Sequence, residues 1–401
     1  MFEFIWFSKD AWIKRKARKH LLAQALSKKP AVDRVIFLEP FTNPIELINL
    51  ISSESISDDD FARWKRALLF KTVKLSDKFY LHSPLSPIPL KRFRKIYDLN
   101  CLLSSIFIKS IAKSRSAKRV VWFYNPYDFL LLRLFPKSTI LVFDWTEDWA
   151  EYHVELSPKQ RRQMKELEIK MVKNVDLVFT VSDSLLKVAR QYNPNSHRIP
   201  NATAFAEISN NQNIEIAGEM RIQRPILGYI GAICERTDFK LLNRLADEFP
   251  KCSIVLIGSM SQGITESDIS HLTSKNNVYY LGLKEHGELP KYIKSFDVCL
   301  MPYKLENTKT INPTKLYDYL ATGKPIVSTF FDDIEYYQDL VRIAETHEEF
   351  IGQVREALAE NDSALVQRRI DYAKQNSWSA RADEILGVLN EYLENSSVLI
   401  Q

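Results

Sequence analysis

Short apolar runs of strand length alternate with longer amphipathic stretches, and this alternation occurs twice along the chain. Phe2–Phe7 predicts a buried first strand, Lys14 to Leu26 a helix basic on one side, and Arg34–Leu38 a second strand ended by Glu39-Pro40. Strand, helix, strand in that order is the signature of a parallel sheet. Residues 44–95 break the rhythm. Ser52–Asp60 reads as a loop and residues 84–89 (PLSPIP) as irregular. Between them Phe61–Phe70 is amphipathic and basic, with Phe61, Trp64, Leu68 and Leu69 on one side, and suits either a core helix or a membrane-facing one. Lys91–Lys113 predicts a long helix. Strands follow at Arg119–Phe123 and Thr139–Phe143, separated by a leucine-rich helix. The charged helix Lys159–Lys173 and the strand Asp176–Thr180 come next, with Ser182 or Asp183 capping another helix. His197–Ile199 then runs into a turn at Pro200-Asn201-Ala202.

The polar stretch 206–222 predicts a linker, and a second alternation begins at Pro225. Its strands are ILGYIGAI, Ser253–Ile257, Val278–Leu281, Val298–Met301 and Ile326–Ser328, with helices between them, the first from about Asp238. Ala357–Lys374 and Trp378–Leu393 are terminal helices. The expected fold is α/β, with two Rossmann-like, doubly wound domains facing a cleft. The first spans 1–205, the linker 206–222 and the second 223–376, followed by a C-terminal helix, 377–401. Ligands of such sheets bind beyond the carboxyl ends of the strands.

Size and composition fit this picture. A chain of 401 residues, 45% hydrophobic and 26% charged, suits two soluble globular domains. No apolar run reaches membrane-spanning length, and MFEFIWFSKD lacks the layout of a signal peptide, so a cytoplasmic protein is expected. Cys101, Cys234, Cys252 and Cys299 are widely spaced, which suits reduced thiols. His20 has no second histidine at ligand spacing, so no metal site is expected. Charge is uneven: residues 1–217 carry 35 Lys+Arg against 23 Asp+Glu, net +12, and the remainder 20 against 27, net −7. A basic first half points to an anionic partner such as phospholipid headgroups, a lipid diphosphate or nucleic acid. All ten glycines lie from Gly218 onward.

Three stretches could carry chemistry. In Asn312–Thr329 (NPTKLYDYLATGKPIVST) a helix opens after Pro313 and is closed by Gly323, and a buried strand follows. Lys315 and Asp318, three apart, project from one face near the helix N-terminus; they suit a ligand carrying phosphate and ribose, or else form a surface ion pair. Gly228 and Gly231 lie between a strand and a helix where phosphate can approach the backbone, although the third glycine of the dinucleotide fingerprint is missing. No phosphate-binding Walker A sequence is present. Asp144, Glu147 and Asp148 follow the strand ending at Phe143, placed either as a general base or as the acidic start of a helix.

Several of these segments together resemble the GT-B glycosyltransferases that use nucleotide-sugars, near the family-4 branch that builds bacterial surface polysaccharides. The resemblance rests on GYIGAICERTDFKLL at 228–242, VLIG at 255–258, VYYLGLKEHGELPKYIKSFDVCLMPY at 278–303 and then NPTKLYDYLATGKPIVST. VFDWTEDW at 142–149 and the segment from Asp176 to Phe205 look like the matching first-half stretches, and Trp378 and its helix resemble the family's closing helix, which crosses back onto the first domain; residues 44–115 match poorly. The resemblance implies that Gly231 and Ala232 face the diphosphate, with Arg236 and Thr314 in the same donor site. It implies that the Leu283 region holds the base, Lys315 neutralises phosphate and Asp318 accepts the ribose hydroxyls. It further implies a metal-independent transfer in which, if the reaction inverts, Asp148, or its neighbours Glu147 and Asp144, deprotonates the acceptor. The donor would be a UDP-sugar and the acceptor a glycan or lipid-linked sugar at the inner face of the membrane, with no nucleic acid partner. Two departures stand out. Thr310 occupies the place of the first of two family glutamates, for which Glu306 could substitute, and Ala17 stands where relatives often carry arginine, flanked by Lys16 and Arg18. A nucleotide-sugar epimerase and a non-catalytic nucleotide- or RNA-binding scaffold share the architecture.

Overall fold

The computed structural model describes residues 1–12, 16–42, 58–86, 99–100, 117–152, 156–209, 217–261, 264–304 and 312–398. They divide into two compact units, 1–200 with 381–401, and 201–380. Apart from Leu99 and Asn100, the expected helix Lys91–Lys113 lies outside the described residues, as do Cys101, Glu306 and Thr310.

In the first unit, β1 (Phe2–Phe7) pairs in parallel with β2 (Val32–Leu38) on one side and β5 (Lys118–Phe123) on the other. Outward from β2 come β4 (Phe79–His82), parallel, and β3 (Thr72–Ser76), antiparallel; outward from β5 come β6 (Ile140–Trp145), β7 (Leu177–Thr180) and β8 (Ser196–Arg198), all parallel. Every residue of β1 is buried, as a strand covered on both faces must be, which explains why all but one of them are apolar. Its one acid, Glu3, is buried too, and accepts hydrogen bonds from Arg34 Nε at 2.7 Å and Arg119 Nε at 2.9 Å on the neighbouring strands.

Three local expectations change. The first helix runs Arg18–Ser27, later than anticipated, and His20 Nδ1 accepts the Ala17 N–H at 3.1 Å to close its first turn. The leucine-rich segment is a 3-10 helix, Pro126–Leu134, started by Asn125 accepting from the Tyr127 N–H. The hairpin of β3 and β4 was not foreseen: β3 is an edge strand with a solvent-facing, lysine-bearing sequence, so no apolar alternation marks it.

The helix Asp58–Leu68 precedes that hairpin. Its inner side buries Trp64 and Ala67, while Arg63 donates to the Pro40 carbonyl and Arg66 to Ser83 Oγ and Glu39. It ends in paired hydrogen bonds, Phe70 N–H to Ala67 O and Lys71 N–H to Arg66 O, the Schellman arrangement that places the intervening residue in the left-handed region. That residue is Phe70, at φ +48°. A phenylalanine where glycine is the norm costs about 1 kcal/mol.

The second unit holds six parallel strands, β9 (Ile226–Ile230), β10 (Ser253–Ile257), β11 (Val278–Tyr280), β12 (Val298–Met301), β13 (Ile326–Thr329) and β14 (Arg342–Ala344), in the order β11-β10-β9-β12-β13-β14. Where described, the stretch expected as a linker belongs to this unit. Phe205–Ser209 is a helix whose Ile208 joins the core, and Met220 is buried as well. The last helix, Trp378–Val398, starts in the second unit and is part of the first from Arg381 onward. There Ala382, Ile385, Leu386 and Leu389 are buried and the Tyr392 hydroxyl donates to Asp176 at 2.9 Å. Among the described residues no helix is long and apolar enough to cross a membrane.

Candidate active site

In the second sheet, strand order reverses between β9 and β12. β9 pairs with β10 along its whole length, but with β12 only at Leu227 and Gly228. Beyond Gly228 the two strands part, and the Ile230 N–H is donated to the Tyr319 hydroxyl at 2.7 Å instead. This is the topological switch point at which an open parallel sheet takes its ligand.

The loop leaving β9 is made by close backbone approach. Gly231 has φ +142° and Gly258, at the end of β10, φ +150°. A Cβ on Gly258 would lie 1.9 Å from the Gly231 carbonyl oxygen, so a larger residue at Gly258 would have to displace the loop after β9. The Gly231 N–H donates to Ile257 O at 2.9 Å, so it is occupied within the sheet. The Tyr229 hydroxyl donates to Ala232 O at 2.8 Å and fixes the next residue of the turn.

Lys315 reaches this loop from the first turn of the helix Thr314–Ala321. Its Nζ lies 3.7 Å from the centroid of the Tyr229 ring and 5.2 Å from that of Tyr303, and a Cβ on Gly231 would fall 2.5 Å from it. Two tyrosine faces therefore hold the ammonium over a position that only glycine leaves open. Pro313 at the helix N-cap has no side chain that can cap the first turn, so the positive end of the helix adds to the Lys315 charge. Thr314 is in the same turn. Arg236 lies in the loop after β9, its carbonyl accepting from the Lys304 N–H at 2.9 Å. Leu283, beyond β11, is 59% exposed.

Asp318, one turn beyond Lys315, is held by the Thr203 hydroxyl, which donates to it at 2.7 Å. Beside it, Asn312 Oδ1 accepts from the Asn201 N–H at 2.8 Å, tying the entry to this helix to the turn after Pro200. Desolvation and, to a smaller extent, the Glu207 charge push the Asp318 carboxyl up to about 7, against the lowering effect of Thr203. The folded-state value is raised, so its contribution to stability is present below the unfolded carboxylate range and is lost as pH rises through about 7. Asp318→Asn is therefore expected to raise the melting temperature at pH 8 by roughly 3 °C and to leave it unchanged at pH 4. Scanning calorimetry at the two pH values checks this; equal shifts at both would show that the carboxyl does not titrate there.

In the first unit the acid segment follows β6. Asp144 is completely buried and forms a two-pronged ion pair with Arg18, Nε and Nη2 each at 3.0 Å, while Arg18 Nη1 donates to Pro200 O at 3.0 Å. Glu147 is paired with Lys9, whose ammonium lies 4.7 Å from the Trp149 ring centroid. Burial, with a smaller push from Lys19, lowers the Lys9 ammonium to about 7. Asp148 accepts from Lys165 at 2.6 Å and from the Glu151 N–H at 3.3 Å, so it also starts the short helix Trp149–Tyr152. The segment hangs on Glu168, which accepts from Trp145 Nε1 at 2.7 Å and the Trp149 N–H at 2.9 Å. Its carboxyl is pushed up to about 7, by burial first and Asp148 second. Sequence reading missed Glu168, although it shares the inner helix face with Met164, Met171 and Val172, where an acid needs a partner. It also missed Tyr229, Tyr303 and Thr203.

Two doubly wound units, the second with a cation held at its switch point, are the architecture of GT-B enzymes. A family model described as Glycosyl transferases group 1 matches residues 224–361. The TuaH protein of Bacillus subtilis strain 168, named as a glycosyltransferase of teichuronic acid biosynthesis, is 24% identical over 390 residues, covering 92% of each chain. Sucrose-phosphate synthase from Thermosynechococcus elongatus superposes with a TM-score of 0.70 at 14% identity, over 98% of this chain and 99% of that one. HepE from Anabaena, solved in complex with UDP and glucose, superposes with a TM-score of 0.66 at 10% identity, over 97% and 99%. The protein is a glycosyltransferase of the GT-B fold. Its second unit carries the group 1 glycosyltransferase domain.

Proposed function

We propose that this glycosyltransferase moves a sugar from a nucleotide-sugar, a UDP-sugar in particular, to a glycan or lipid-linked acceptor in surface polysaccharide synthesis. The observation that carries the donor assignment is the Lys315 ammonium held between Tyr229 and Tyr303 over Gly231. As the glycosidic bond to the diphosphate breaks, negative charge grows on the leaving oxygen. A fixed cation and a helix N-terminus at that point stabilise the charge without reorganising, so no metal is needed in this reading. Ala232 and Thr314 line the diphosphate, Arg236 adds positive charge, the Leu283 region receives the base and Asp318 accepts from the ribose. In the first unit Asp144 is committed to Arg18 and positions the segment, while Asp148 or Glu147 takes the acceptor proton. The names of TuaH and HepE, one a teichuronic acid enzyme and the other bound to UDP, support the acceptor and donor classes respectively.

Calorimetric titration with UDP, GDP and their sugars tests the donor. UDP binding with a micromolar-range Kd, against at least about tenfold weaker GDP, is the expected result. Failure of every nucleotide to bind the folded protein would remove the donor site from this position.

A further inference from the structure

Beyond β11 the usual order of burial is inverted. Leu283 is 59% exposed, while the side chain of the next residue, Lys284, is only 17% exposed. A lone exposed leucine needs no explanation. A leucine turned out while the neighbouring ammonium is folded in does, because solvation favours the reverse. Lys284 is folded in by a specific clamp. Its Nζ lies 2.7 Å from Glu219 Oε1 and 5.6 Å from the centroid of the Tyr292 ring, and the Tyr292 hydroxyl donates to the same Glu219 oxygen. The hydrogen bond from Lys284 first, and that from Tyr292 second, hold the Glu219 carboxyl below its ordinary range, so it is charged at neutral pH.

The clamp is anchored in the core of the second unit. Tyr292, on the short helix Leu289–Ile293, is buried in the same cluster as Met220, which follows Glu219 in the turn Gly218–Met220. The backbone before Leu283 is fixed as well. The Leu281 N–H donates to Leu256 O and the Gly258 N–H to Gly282 O, each at 2.9 Å. Gly282, at φ +67°, turns the chain between these bonds and the clamp. A Cβ there would meet nothing within 4 Å, so glycine serves the turn and not a close approach. Leu283 is therefore held from both sides, by backbone bonds before it and an ion pair after it. Gly258 also packs against the Gly231 carbonyl, which ties this loop to the one over which Lys315 lies.

We propose that Glu219 is a positioning residue for base selection: with Tyr292 it holds Lys284 in, and so keeps Leu283 turned out as an apolar shelf for the flat face of a nucleotide base. This rests on the reading above that the Leu283 region receives the base. A shelf fixed at a set reach from the diphosphate accepts one ring size better than another, whereas a released loop accommodates both. Glu219 makes no contact with the nucleotide in this scheme; it acts through Lys284. It lies in the stretch expected as a linker, away from every segment in which the sequence suggested donor binding.

The test is calorimetric titration of the full chain and its variants with UDP and GDP. Glu219→Gln keeps the size of the side chain and removes its charge. It should weaken the better-bound nucleotide about tenfold and the poorer one much less, so that the ratio between them narrows. Leu283→Ser should narrow the ratio in the same way, and Glu219→Asp, which keeps the charge, should restore part of it. The melting temperature of Glu219→Gln should hardly move, because the carboxylate is 41% exposed and such ion pairs add little stability. A ratio unchanged in Glu219→Gln, or equal weakening of both nucleotides, would overturn the proposal and leave the donor reading standing. So would a wild-type chain that binds UDP and GDP equally, because there would be no selection to position. A wild-type chain that binds neither would overturn the donor reading and this inference with it.

Discussion

Lys315→Ala is expected to lower kcat/KM by about 10²–10³-fold and to weaken binding of the nucleotide diphosphate, with the fold intact. The magnitude is that of removing one fixed charge from the position where leaving-group charge develops. The geometry makes the loss specific. Alanine removes the ammonium that Tyr229 and Tyr303 hold above Gly231, and puts no charge in its place. Lys315→Arg is a sharper probe. It keeps the charge, but the planar guanidinium must fit a gap that already leaves no room for a Cβ on Gly231, so recovery should be partial. Steady-state kinetics with calorimetry separates the two parameters. An alanine variant that binds and turns over as wild type would show that the lysine is only a packing element of the tyrosine pair.

Arg18→Ala is expected to destabilise the first unit by about 3–5 kcal/mol, lowering its melting temperature by roughly 10 °C. Asp144 has no exposed side-chain surface and Arg18 only 6%, and both prongs of the pair are 3.0 Å hydrogen bonds. Taking away the arginine leaves a carboxylate buried between strands without its cation, and also frees the Pro200 carbonyl. The double variant Arg18→Ala, Asp144→Ala should therefore be more stable than the single one, the inverse of additive behaviour. Thermal denaturation of the set decides it. If Arg18→Ala alone costs no more than about 1 kcal/mol, the pair contributes little and Asp144 is free for other work.

These two predictions differ in how much of their basis was legible in the sequence. Lys315 and Gly231 stood out because helix punctuation, a strand end and a glycine are local signals, readable within a few residues. The tyrosines that hold the lysine were not readable as site residues, because Tyr229 and Tyr303 sit at ordinary core positions of β9 and just beyond β12. Arg18 and Asp144 are 126 residues apart, and nothing local marks either as the other's partner. The alternating parallel strands were plain, since buried strands advertise themselves by uninterrupted apolar runs. The β3–β4 hairpin did not, because an edge strand facing water carries the residues of a loop. Glu168 sits between these cases: its place on an apolar helix face was visible, but its tryptophan partners were not.

The way the chain is divided has a consequence for its synthesis. A ribosome delivers residues 1–200 first, then all of the second unit, and only afterwards the segment from Arg381 that buries Ala382, Ile385, Leu386 and Leu389 in the first. The second unit is continuous and can close as soon as it has emerged. The first must wait, its sheet formed but one apolar seam uncovered, for the time needed to translate some 180 further residues, about ten to forty seconds at ordinary elongation rates. It is the earliest unit to begin folding and the last to finish. During that interval the nascent chain offers a hydrophobic stripe to chaperones that the released protein no longer displays.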